Sequence, residues 1–417
     1  MRVYILKNWI NSKKGDNRIL ELVSAREVLL SSLGWIDFDD ADRQRADKIL
    51  NMFSERDSRD ELGLGAVRDS IADHLFPGTS TIQTKLRYML FIPWILQEVE
   101  KQSKNASHAI DIARKKEFQL IKALKNGGET KGVIGSAAGK NLKRLPSSVY
   151  WAGLKHWGIR TFPGSIDGML RAFHGSFSQE QQNSQYWDVN LPKSPSNWLE
   201  SVNFQLTENE AGFLIDKLAN RTKQSKKGQS GELLSWLAKQ PKFDDCDYIW
   251  NHANLKNFPE QIKDLIEHGR VFSDVMHGAS LLYNLGLSRK RDNDEWVEEY
   301  EERMTEWRNN FDIEAAKSWD LDKFWKICIH PEHRISHQTK SFVRLWLRHA
   351  LNKDTLVENS SSAMKLIASR EKRLKGNQSR FSVLGALNRW GGQSGIYRFS
   401  YRWDIAKSHI RDIIEAA

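Results

Sequence analysis

Cysteine is almost missing from this chain. Two among 417 residues, Cys246 and Cys328, cannot build a disulfide framework, and their scarcity suits a reducing compartment. Long apolar runs are missing too. The greasiest stretch, Leu86 to Leu96, carries Arg87 and Pro93 and falls short of the ~20 residues that a membrane-crossing helix needs. The opening MRVYILKNWINSKKGDNRILELV has a short apolar start but no apolar segment leading to a small-residue cleavage site, so no secretory leader is expected. A soluble, cytoplasmic protein with no membrane partner is the expectation.

Familiar catalytic patterns are missing as well. GVIGSAAGK (132–140) invites a phosphate-loop reading, but the loop needs a glycine five residues before Gly139, where Ile134 stands, and Asn141 replaces the required Ser or Thr. There is no Ser-His-Asp elbow and no His-x-Lys motif of the phospholipase-D kind. Acidic groups such as Asp37, Asp39 and Asp40, or Asp244, Asp245 and Asp247, lack the strand context of a restriction-type nuclease and read as turn and cap residues. CIHPEHRISH (328–337) gathers Cys328, His330, His333 and His337. His333 and His337 would share a helix face, but Pro331 interrupts the segment and no second cluster completes a zinc spacing. No metal and no cofactor are expected, and no catalytic residue is identified.

What is plentiful is basic charge and tryptophan. The net charge of +10 favours a polyanion partner, DNA or RNA. Many of the 16 tryptophans sit beside basic residues, as in WAGLKHWGIR and VRLWLRHA; they read as large core residues, with stacking on bases as the alternative.

Helical periodicity dominates. LGLGAVRDSIADHLF puts Leu64, Val67, Ile71 and Leu75 on one face, and ADRQRADKILNMF does the same for Ile49, Leu50 and Phe53. Further helices are expected at 94–125, 148–157, 207–226, 230–239, 257–269, 294–310, 340–352 and 361–374. The clearest strand pattern is IYRFSYRW, with Tyr397, Phe399, Tyr401 and Trp403 on one face and Arg398, Ser400 and Arg402 on the other; Asp404 would cap a last helix. The fold class is therefore mainly α: a multi-helix, two-domain protein with a small β element near the C-terminus. The Ser/Gln/Asn/Pro-rich segment 174–197 is the expected boundary, and 221–232 reads as a basic loop. The division is an N-terminal extension at 1–30, a helical domain at 31–175, and a mainly helical domain at 190–417 that holds the β element.

Two segments resemble each other: FPGTSTIQTKLR (76–87) and FPGSIDGMLR (162–171), both read as helix starts. In the first, Ser80 with Gln83 three residues later forms a capping box. The helix would run from residue 80 until Pro93 kinks or ends it, with Ile82, Leu86, Met89 and Leu90 on its apolar face. Thr84, Lys85 and Arg87 would then stand at the mouth of a buried helix, within reach of a phosphate backbone. Lys140, Lys143 and Arg144 beside the small residues of 132–139 offer a second basic edge. Arg398 and Arg402, next to the aromatic face, complete the candidate nucleic-acid contacts.

The segments SSLGWIDFDDADR, DELGLGAVRDSIADHLFPGTSTIQTKLRYMLFIPWI and GVIGSAAGKNLKRLPSSVYWAGLKHWGI together resemble the bacterial domain-of-unknown-function family numbered 6361, across about residues 31–417. The resemblance brings no catalytic residue. It implies an association with anti-phage defence genes, beside helicases and phospholipase-D-like nucleases. The expected function is a nucleic-acid-binding accessory component of such a system, with DNA and helicase or nuclease subunits as partners. The alternatives are a nucleic-acid-processing enzyme, such as a nuclease or glycosylase, and a protein–protein scaffold.

Overall fold

The structure is a computed structural model that describes residues 60–139, 142, 144–174, 186–224, 232–352 and 354–416. The N-terminal extension, the stripe at residues 49–53, the signature segment 31–43, Lys140, Lys143, and residues 175–185 and 225–231 of the two predicted loops lie outside these residues. Among the described residues there are fifteen α-helices and no sheet. No helix is long and apolar enough to cross a membrane.

The N-terminal part begins where Asp60 accepts hydrogen bonds from the backbone N–H groups of Leu64 (2.9 Å) and Gly65. That caps α1, Gly65–Leu75. Its predicted stripe is right: Leu64, Val67, Ile71 and Leu75 are all buried. Next comes α2, Tyr88–Gln102, buried along most of its length. It starts eight residues later than Ser80. Residues 81–87 form turns, Ile82 is 42% exposed, and Ser80 caps no helix. Only half of the capping box survives, the Ser80 N–H donating to Gln83 Oε1 (3.2 Å).

Distant side chains explain the late start. The Tyr150 hydroxyl accepts from the N–H groups of Thr84 (2.8 Å) and Lys85 (3.0 Å) and donates to the Lys85 carbonyl (2.7 Å). Asp412 accepts from the Leu86 N–H (3.0 Å). The N–H groups that would make the first intrahelical bonds of a helix capped at Ser80 are thus taken by side chains from elsewhere. Pro93 sits inside the helix, which neither ends nor begins there; the proline removes only its own N–H from the ladder. The second segment of the pair does behave as predicted. Ser165 caps α5 by accepting from Gly168 N–H (3.0 Å).

Between these lie α3, Ala106–Asn126, and α4, Pro146–His156; α5 covers Ile166–Ala172. The predicted helix 94–125 is two helices, broken at Ser103, with Asn105 capping the second through His108 N–H (2.9 Å). Buried Glu117 on α3 accepts from the Ser147 N–H and hydroxyl, both at 2.8 Å, at the start of α4.

Beyond the predicted boundary come α6 (Glu208–Gln224), α7 (Glu232–Leu237) and the long α8, Glu260–Lys290. The sequence reading expected a helix only to residue 269. Residues 270–290 are apolar on nearly all sides because the helix is surrounded, so no single stripe advertises it. Around α8 pack α9 (Asp294–Asn310), α10 (Ile313–Ser318), α11 (Leu321–Ile327), α12 (His337–Ala350) and α13 (Ser361–Lys375), followed by α14 (Leu384–Asn388) and the terminal α15, Trp403–Ile414. Arg56–Ala417 clusters as one compact unit. Its core runs across the 174–197 segment: Trp94 Nε1 donates to the Pro192 carbonyl (2.6 Å), and Trp198 stacks on Phe91 at 5.6 Å.

The expected β element is not a strand. Residues 394–401 pair with no strand among the described residues; they run irregularly along α8, whose side chains and one carbonyl bond their backbone and the Tyr401 hydroxyl. Asn284 bonds both Ser394 N–H (2.9 Å) and Ser394 carbonyl (2.8 Å), His277 Nε2 meets the Ile396 carbonyl (3.0 Å), and Ser273 Oγ meets the Phe399 carbonyl (3.3 Å). The Tyr401 hydroxyl donates to the Gly269 carbonyl (2.6 Å). Positions 269, 273, 277 and 284 fall on one side of a helix. The segment ends in a reversal, with positive φ at Tyr401 (53°) and Arg402 (66°). This turns the chain into α15, with Asp404 in its first turn rather than at the cap.

Candidate nucleic-acid interface

The six candidate contacts among the described residues do not converge. Arg87 is 5% exposed and points inward. Its guanidinium pairs with Glu210 Oε1 (2.8 Å) and donates to the Asn203 carbonyl (3.0 Å) and Oδ1 (3.2 Å). Its cationic charge is therefore answered inside the protein. Thr84 donates to the Gly132 carbonyl (2.6 Å), and half-buried Lys85 reaches Asp412 (3.3 Å). The 132–139 loop lies beside the mouth of α2, since the Ile134 N–H donates to the Tyr88 hydroxyl (3.0 Å). Arg144 is exposed, while Lys140 and Lys143 lie outside the described residues. Arg402 is mostly buried, bound to Asp73, Asp69 (3.5 Å) and the Thr79 carbonyl (2.8 Å).

Arg398 is different. It lines an open cleft of about 290 Å³ between α8, α9 and the extended 396–398 segment, near the small end of the ~300–1,000 Å³ usual for ligand sites. Tyr248 and Trp250 stack face to face at 4.6 Å and 9°. The Arg398 guanidinium lies over both rings, 5.2 and 5.4 Å from their centroids. It also pairs with Asp274, and its Nε is buried with no hydrogen-bond partner among the described residues. Tyr397 is 80% exposed at the rim. Trp307, stacked on Phe311 at 4.9 Å, lines another side. Trp307 is seated by Gly278: a Cβ there would stand 2.4 Å from the indole. Its Nε1 donates to the Asp274 carbonyl (2.9 Å).

Asp274 and His277 present the polar groups of the cleft from successive turns of α8. Burial pushes the Asp274 carboxyl above its ordinary range, partly offset by Arg398 and Arg270. Burial lowers His277, and the nearby Arg398 and Arg303 add to this, so its imidazole is neutral at pH 7. Glu306 and Arg303 complete the lining. The cleft thus balances two carboxylates against two guanidinium groups and surrounds them with aromatic faces. Such a site suits a flat, polar, uncharged ring better than a phosphate: carboxylates repel phosphate but accept from exocyclic amines.

Sequence reasoning marked Arg398 and the aromatic run but missed Asp274, His277 and Trp307. The available signal was a polar Asp–His pair three residues apart on an otherwise apolar stretch of helix.

A family model described as a family of unknown function (DUF6361) matches residues 30–417, and the chain belongs to that family. No curated protein and no solved structure matches it.

Proposed function

We propose that this protein is a nucleic-acid-binding component that holds an unstacked base in the Arg398 cleft, as an accessory to a DNA-directed anti-phage defence system. The observation that supports it is the aromatic lining, exposed Tyr397 with Tyr248, Trp307 and Phe311, around charge-balanced polar groups. Aromatic faces take bases of any sequence, each stack being worth about 1–3 kcal/mol. Single strands offer free base faces and duplexes do not. The proposed ligand is therefore single-stranded DNA, with exposed basic residues such as Arg144 supplying backbone attraction that falls with salt. Helicase or nuclease subunits, which generate or consume single strands, are the partners that fit such a component.

A second reading, a base-processing enzyme, draws on Asp274 and His277 side by side under the place a base would occupy.

The test is fluorescence anisotropy with labelled single-stranded and duplex oligonucleotides at low and moderate salt. Single strands should bind more tightly, and Tyr397→Ala should weaken them about tenfold without changing the fold, because that side chain is exposed. Equal affinity of wild type and Tyr397→Ala, or no binding at low salt, would overturn the reading. Loss of a base or chain scission during the incubation would favour the enzyme.

A further inference from the structure

We propose that Asp73, His330 and His333 form a binding site for a borderline divalent transition metal of the zinc class. The three residues each offer one ligand atom, and these atoms lie within 4.8 Å of one another. This reverses the expectation drawn from spacing. The CIHPEHRISH segment was judged incomplete because no Cys/His partner cluster follows it; the third ligand is a carboxylate on α1, more than 250 residues earlier. Cys328 is not involved, being fully buried with its thiol pushed well up by burial. His337, the expected partner of His333, is exposed at the start of α12. The pair that forms is His330 and His333, stacked at 4.9 Å across a tight turn closed by His333 N–H to the His330 carbonyl (3.2 Å).

The surroundings hold the ligands in place independently of any metal. Ser70 Oγ donates to the Cys328 carbonyl (2.7 Å) and His74 Nε2 meets the Ile329 carbonyl (3.1 Å). These two contacts, one turn apart on α1, fix the histidine loop on either side of Asp73. Arg402 and its positive-φ turn grip Asp73 Oδ1, leaving Oδ2 facing His333 Nε2 at 2.5 Å. Carboxylates that ligate metals are commonly oriented by such outer partners. A tetrahedral ion with ~2.0–2.1 Å bonds needs ligand atoms somewhat more than 3 Å apart, so the Asp73–His333 pair would part slightly and His330 move in. Two imidazoles and one carboxylate select zinc-like ions over magnesium or calcium, which prefer oxygen donors. All three side chains are half-buried, so a further position stays open to solvent, as in catalytic rather than structural zinc sites. Asp69, 3.5 Å from Arg402, offsets part of the added positive charge.

The experiment uses the full chain stripped with chelator and dialysed against zinc, with bound metal measured by elemental analysis, and cobalt(II) as a spectroscopic stand-in. Wild type should hold about one equivalent, give the visible bands of a low-symmetry cobalt site, and melt at a higher temperature with zinc than without. The double variant His330→Ala/His333→Ala should lose all three. His330→Ala alone, which removes no cross-chain hydrogen bond, serves if the double variant misfolds, and should weaken binding at least tenfold. His337→Ala should bind as wild type does. Substoichiometric zinc in wild type, binding unchanged in His330→Ala, or equal loss in His337→Ala would overturn the proposal and leave Asp73–His333 a plain ion pair.

Discussion

His409 offers a test of how completely the core excludes water. It lies on α15, fully buried, with its ring edge-on to Trp157. Neither ring nitrogen has a hydrogen-bond partner among the described residues. Burial, with a smaller push from the Lys85 ammonium, lowers its pKa from 6.5 to about 3. The sign follows. Above pH 6.5 the imidazole is neutral in both folded and unfolded chains and costs nothing. Below it the unfolded chain takes up a proton that the folded chain refuses, so stability falls as the pH drops from 6.5 towards 3. From pH 6.5 to 5 the interval is about 1.5 units at ~1.4 kcal/mol per unit, or about 2 kcal/mol from this one residue. His409→Leu removes the proton site and two unpartnered polar atoms. Urea unfolding of wild type and variant at pH 7.5 and pH 5 isolates the effect, because the other buried histidines are common to both. The wild type should lose about 2 kcal/mol more than the variant on acidification. Equal losses would mean that His409 is hydrated or paired in solution, and that the packing around α15 is looser than described.

Glu117 should behave in the opposite sense. Burial raises it to about 7 against the hydrogen bonds from Ser147, so its stabilising protonated form is present below pH 4.5 and lost as pH rises towards 7. Glu117→Gln should lose less stability over that interval, by roughly 3 kcal/mol; parallel urea midpoints for the two proteins at pH 5 and 8 would contradict this. Glu210→Gln leaves the Arg87 guanidinium buried without its carboxylate and should cost roughly 3–5 kcal/mol. The same protein, where folded, should bind single-stranded DNA as wild type does; a steeper salt dependence of binding would restore Arg87 as a phosphate contact.

The parts of the fold that could be read from sequence are those whose causes are local. The stripe Leu64, Val67, Ile71, Leu75 is a property of one helix, and all four residues are buried. The same holds for Asp294–Asn310, whose bounds match the expected helix 294–310. The misreadings have non-local causes. The helix expected from Ser80 fails to start because Tyr150 and Asp412, remote in sequence, take its first backbone donors. The alternation at 396–403 suggests a strand, but a strand needs a neighbour, and here side chains of α8 bond the segment's carbonyls instead. The cleft was half legible for the same reason: Arg398 stands in a suggestive motif, whereas Asp274 and His277 gain meaning only once the 396–398 segment crosses them. Of the Asp73–His330–His333 group, spacing showed only the two histidines; Asp73 stands more than 250 residues earlier, where no local pattern connects it to them.

The scarcity of cysteine and the abundance of tryptophan are connected. A helical protein with no sheet among its described residues and no disulfide, its thiols at Cys246 and Cys328 both free, has few ways to fasten distant segments. The buried indoles do this here. Trp94 donates to the Pro192 carbonyl (2.6 Å), Trp157 to Pro77 (3.0 Å), Trp346 to Val275 (2.7 Å) and Trp403 to Cys246 (2.9 Å). Each bond spans 70 or more residues, and each acceptor except Val275 lies in a connecting segment, where no helix ladder answers its carbonyl. Such a bond contributes only about 1 kcal/mol, but leaving the carbonyl or the indole N–H unpaired would cost about 1–3 kcal/mol. The apolar body of the ring adds area burial that a serine or asparagine making the same bond could not. These four tryptophans are therefore core staples, as the plainer of the two sequence readings held. In the proposed nucleic-acid reading, stacking on a base falls instead to Tyr397, which is exposed at the cleft. The division follows from burial: Trp94, Trp157, Trp346 and Trp403 are at most 2% exposed, so their ring faces are covered by the core and none can stack on a base.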